Sequence, residues 1–143
     1  YLINLMYYQI EDIFVKRKLV AKVFRYNNKK FSGIKFFTEN NLEFQVGLMS
    51  HSANHRIIPH SHKNHKKVVS NMSEFLIIFK GKLKVFFYDK KNKVAKTKIL
   101  NKKDMLLLID GAHGFKVINK VEMLEIKQGP FNGDKDKIKL NKN

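Results

Sequence analysis

The chain has 143 residues, no cysteine, and 29 Lys and Arg against 12 Asp and Glu, a formal net charge of +17. That length is one domain with a single core, and the missing cysteines exclude disulfides and thiolate metal sites, leaving His and carboxylate as metal donors and suiting a reducing cytoplasm. The positive charge is nearly all Lys, spread along the chain with only Arg17, Arg25 and Arg56 for bidentate forks, which points away from nucleic acid and towards steering small anions.

Tyr1 to Tyr8 is apolar and aromatic, but Glu11 and Asp12 interrupt it well short of the ~20 residues of a membrane span. It lacks a basic leader and a cleavage site, so no membrane association is expected and a cytoplasmic location is. Residues 1–18 read as an amino-terminal arm. Such a sticky segment either packs on its own domain as an extra strand or pairs with a second subunit's sheet edge, and a homodimer is expected on that ground.

Leu19 to Tyr26 alternates as a short strand, and Asn27 to Lys30 turns it. Gly33 to Thr38 is extended, and Glu39-Asn40-Asn41 turns back into Leu42, Phe44, Val46 and Leu48, which recur with period two. Arg56 to His62 is extended, and Lys63 to Ser73 is a polar loop. Phe75 to Phe79 and Leu83 to Tyr88 flank Lys80-Gly81-Lys82, which predicts a hairpin about the central glycine. Strands follow over Val94 to Leu100, Met105 to Ile109 and Val121 to Lys127, and Gly129-Pro130 ends the last; residues 129–143 form a polar tail. No stretch keeps a helical period over ten residues. The pattern is all-β, a sandwich or barrel over residues 19–128, and a jelly roll would enclose a cavity.

His60 and His62 stand two apart on an extended segment and so share a face. Glu74 has the parity of Leu76 and Ile78 and should point inward; His113 has the parity of Phe115 and Val117. Three imidazoles and one carboxylate could thus converge inside a sheet, where such groups are costly unless paired or coordinated. His65 competes for a ligand role from within the long loop. Lys127 and Gln128 alternate on the last strand, so one of them faces the cavity and can meet an anionic or hydroxyl group of a substrate.

These residues carry a resemblance. His60-Ser61-His62 with Glu74 and Gly81 resembles the first cupin motif, and Asp104, Gly111 and His113 resemble the second. Gly33-Ile34-Lys35-Phe36-Phe37-Thr38, Gly111-Ala112-His113-Gly114-Phe115 and Glu125-Ile126-Lys127-Gln128-Gly129-Pro130 look like a group of small stand-alone cupins associated with bacterial surface-polysaccharide and sugar-nucleotide genes. The resemblance implies a cupin double-stranded β-helix, the jelly-roll barrel, with one divalent ion, Fe, Mn, Ni or Zn, on His60, His62, Glu74 and His113. Isomerisation or epimerisation of a sugar nucleotide or related anionic sugar derivative is the leading expectation. An Fe-dependent dioxygenase and a non-catalytic sugar-binding or regulatory module are the alternatives. The sequence departs from the motifs in the long loop between His62 and Glu74, in Asn54 where the first motif often has Gly, and in Ile109 where the second usually has Pro.

Overall fold

The computed structural model describes residues 8–140, and its regular elements are eight β-strands and one four-residue 3-10 turn. The strands are β1 (Tyr8–Val15), β2 (Lys18–Tyr26), β3 (Gly33–Phe36), β4 (Gly47–Ser50), β5 (Glu74–Tyr88), β6 (Val94–Asn101), β7 (Met105–Leu108) and β8 (His113–Lys127). The turn is Gly133–Asp136. All pairings are antiparallel. β1, β2, β7 and β5 lie side by side; β7 and β6 take successive halves of one side of β5, and β8 runs along the other. β3 and β4 form a separate two-stranded sheet. No helix among the described residues is long and apolar enough to cross a membrane.

The hairpin expected at Lys80-Gly81-Lys82 is not there. Glu74 to Tyr88 is one continuous strand, and Gly81 is a bulge within it. The side chains this strand contributes to the inner core are Leu76 and Ile78 before the glycine and Leu83, Val85 and Phe87 after it, so the alternation changes parity once, as an inserted residue demands. Gly81 holds φ at +84°, and a Cβ there would run into the Lys120 carbonyl of β8. A glycine at positive φ serves a bulge as well as a turn, which is why the local sequence misleads.

The bulge marks where the sheet bends. His113 pairs with Phe87 at the far end of β5, yet its ring touches Glu74 at the near end. In a straight strand those two positions would be roughly 40 Å apart. β5 and β8 therefore curl together, and the sheet becomes a half-barrel. Its inner core gathers Ile13, Val20, Ala21, Val23, Leu76, Ile78, Leu83, Val85, Phe87, Leu100, Leu106 and Leu108.

A second cluster, Phe24, Phe37, Val46, Phe75 and Leu107, fills the space between the main sheet and the β3–β4 unit. Leu42, Phe44, Val46 and Leu48 keep their predicted alternation of burial, although only Gly47 onward is paired as strand. Lys22, 3% exposed, clips this unit on: its Nζ donates to Asp12 at 2.8 Å and to Glu39, in the β3–β4 connection, at 2.9 Å. Burial alone would lower its pKa, but the two carboxylates outweigh burial and raise it.

The expected arm divides. Residues 1–7 lie outside the described residues, while Tyr8–Val15 pairs with β2 as an extra strand of its own sheet. Lys16 and Arg17, both at positive φ, make the two-residue turn. Side chains then tie β1 and β2 to β6. Lys98 pairs with Glu11; Arg25 donates to the Ile99 carbonyl and, at 2.7 Å, to buried Asp104.

Gly81→Ala tests the bulge. It should lower stability by roughly 2–4 kcal/mol, combining positive-φ strain with the displaced Lys120 backbone, and a denaturant midpoint within error of wild type would refute it.

Candidate functional site

Curling the sheet brings three of the residues marked in the sequence to one mouth of the half-barrel. Glu74 opens β5 on the inner face, and its Oε2 lies 3.2 Å from His113 Nε2. Both side chains are largely buried, at 14% and 26% exposed. The ring's other nitrogen, Nδ1, is 3.3 Å from the Gly111 carbonyl. Lys127 stands directly across the ladder from Glu74 and so shares its face, and its Nζ sits 5.2 Å from the centre of the Phe131 ring.

Each group shifts the other's titration. The hydrogen bond from His113 holds Glu74 below the ordinary carboxylate value of 4.5 against the opposing effect of burial, with the charges of Lys127 and Lys137 adding to it. Burial alone would push His113 down, but the hydrogen bond and charge of Glu74 outweigh it and raise the imidazole above its ordinary 6.5. The result is a preformed acid-base pair with a cation alongside.

His60 and His62 are elsewhere. Their segment forms no strand, and every residue from His51 to Met72 is exposed. The two rings do lie on one side, 5.3 Å apart and edge to face, but each is in solvent, and His60 Nδ1 bonds the Ile58 carbonyl at 2.9 Å. His65 is likewise exposed, its Nδ1 bonded to the Lys63 carbonyl. Among the described residues no three His, Asp or Glu side chains are grouped so as to hold a metal ion. As placed, the four expected ligands are a meeting pair and a separate pair, which does not fit one ion.

Gln128 has a different task from the one its position in the sequence suggests. Its Oε1 accepts the Ser73 N–H at 2.8 Å, so it fixes the start of β5 and hence Glu74. Glu43 does the same one step earlier, accepting the Ser70 and Asn71 N–H groups at 2.8 and 3.2 Å. Phe131, in the polar tail, lies under Lys127 and was not marked by any pattern; an aromatic after Gly-Pro was the only signal. A hollow of about 120 Å³ opens beside Glu43, Phe44, Ser73 and Leu107, on the second-cluster side and away from His113. Small-molecule pockets run to roughly 300–1,000 Å³, so this hollow is too small to be the site.

Compared with family models, curated proteins and solved structures, the chain matches none.

The coupled pair fixes the sign of a pH effect. The raised His113 stabilises the fold fully below its unfolded pKa and loses that contribution as pH rises through the folded value. The lowered Glu74 contributes above its unfolded pKa and is lost as pH falls through the folded value. The stability gap between wild type and Glu74→Gln should therefore be widest between the ordinary values, pH 4.5 to 6.5, and narrow above that window. In an NMR titration the same variant should lower the His113 pKa; an unchanged value would refute the pairing.

Proposed function

We propose that the chain is a cupin-type jelly roll that isomerises or epimerises an anionic carbohydrate derivative, such as a sugar nucleotide, by proton transfer at Glu74, His113 and Lys127. One observation carries the reading: two titratable groups, far apart along the strands, are brought into direct contact inside the curl of an all-β sheet, where neither is needed to fill the core. Such a pair has the form of a base oriented by a carboxylate.

Glu74 accepts the Nε2 proton and so fixes the ring and its tautomer. That leaves Nδ1 to exchange a proton with substrate, its longer contact to the Gly111 carbonyl being the one that yields. Neutral Nδ1 takes a proton from the carbon beside a carbonyl, and returns it to the neighbouring carbon or to the opposite face. Lys127 neutralises negative charge on the carbonyl oxygen or on a substrate phosphate. The basic surface draws such anions in.

A divalent ion of Fe, Mn, Ni or Zn on His60, His62, Glu74 and His113 is a second reading of the same site. It is favoured by two of the four donors already meeting and by the other two lying on the segment that leads into β5. It requires residues 51–72 to carry His60 and His62 inward. Oxygen chemistry would belong to that arrangement.

The test follows exchange of solvent deuterium into a panel of keto-sugar nucleotides by proton NMR, with metal content measured on the same untagged protein. We expect exchange to fall at least ~100-fold in His113→Asn, the scale of lost acid-base catalysis, and to stay within about twofold in His60→Ala. One equivalent of metal, lost in His60→Ala, would replace the metal-free reading by the four-ligand one. Binding of the sugars to wild type without exchange would leave a non-catalytic sugar module.

A further inference from the structure

The half-barrel has two kinds of edge. On one side β6 is tied to β1 by Lys98 with Glu11 and to β2 by Arg25 with the Ile99 carbonyl. β6 also carries Lys96 and Lys98 and no acidic residue, which guards it against a second copy of a chain of net charge +17. β8 is different. Along His113–Lys127 every ladder partner belongs to β5, and no strand among the described residues pairs with its other flank. Val121 packs against the inner core, but the other apolar side chains are half exposed: Phe115 is 39% exposed, Val117 53%, Ile118 45%, Met123 40%, Leu124 44% and Ile126 43%.

We infer that the open edge of β8 is the interface with a second copy of this chain, joined antiparallel about a two-fold axis at Val121. The Val121 register is the one that matches Lys120 with Glu122. Residues opposite each other in an antiparallel pair point to the same side, so a two-fold must pass through a residue. Centring on Lys120 sets Lys120 against itself, and centring on Glu122 sets Glu122 against itself, both repulsive. Centring on Val121 sets Lys120 opposite Glu122 twice, and places Ile118 against Leu124 on the outer face. With Lys116, Lys120 and Lys127 against Glu122 and Glu125, β8 is nearly neutral in a strongly basic protein, so the edge that is open is also the one least repelled by its copy. The exposed apolar side chains stand on both faces of the strand, Phe115, Val117 and Met123 with the inner series of β5 and Leu124 and Ile126 on the other face, so pairing this edge extends two apolar surfaces at once.

The consequence for the site rests on the proposed function. In the Val121 register the partner's Lys127 stands opposite Phe115, two residues from His113, so each mouth receives a lysine from both copies.

The test is the oligomeric state of the full chain by sedimentation velocity at low salt. Wild type should be a dimer at micromolar concentration. Lys120→Glu and Glu122→Lys, exposed single changes that set like charges face to face, should each raise the dissociation constant at least tenfold, and the double exchange should restore it. A wild type that stays monomeric to ~100 µM overturns the inference. So does a dimer that both single variants leave intact, including one lost only when residues 1–7 are deleted. Deuterium exchange by His113 is a separate readout, so failure of the interface and failure of the proposed chemistry are told apart.

Discussion

Everything distinctive about this molecule depends on one irregular stretch of the β5–β8 ladder. Between Ile78 and Leu83 the inward-facing series of β5 slips by one position, Gly81 takes up the slack at positive φ, and the Lys120 backbone closes against it. A bulge adds twist and bend locally. Here the bend is shared by two strands of fifteen residues each, so their ends approach across the mouth of the half-barrel. The contact between Glu74 and His113 results from that curvature; no local motif brings them together.

Other charges that matter for the fold lie outside this mouth. Lys22 with Asp12 and Glu39 holds the β3–β4 unit, and Arg25 with Asp104 and Glu11 ties β2 to the β6 side. Asp104 Oδ2 also accepts the Asn101 N–H at 2.9 Å, so this buried carboxylate is satisfied from two directions. Removing one member of such a cluster leaves the others buried and unmatched, which costs more than the pair contributes. The strongly basic composition thus divides into a few lysines and arginines that are structural and many that are solvated.

Much of this was legible in the sequence, and what was not has physical reasons. The all-β class and the inward phase of Glu74 followed from alternation, which is local and survives folding. The β1–β2 turn carried no signal because Lys16 and Arg17 occupy left-handed conformations usually left to Gly or Asn. Gly81 gave a signal of the right kind with the wrong meaning. His60 and His62 were rightly placed on one side of the chain, but which way a polar segment of more than twenty residues turns is not a periodic property. Lys22 looked like any surface lysine in an alternating strand; its burial depends on Glu39, seventeen residues later, folding over it.

The segment between β4 and Ser73 meets the body of the protein at few points. Gly47–Ser50 ends its approach, and Glu43 and Gln128 hold its exit chiefly at the backbone N–H groups of Ser70, Asn71 and Ser73. Because those anchors recognise main chain, the side chains between them are free of any duty to the core. Over evolutionary time such a stretch can lengthen, shorten or change its chemistry while the barrel and the Glu74–His113 pair stay as they are, so the scaffold can acquire new specificity by rewriting a part that its stability never reads.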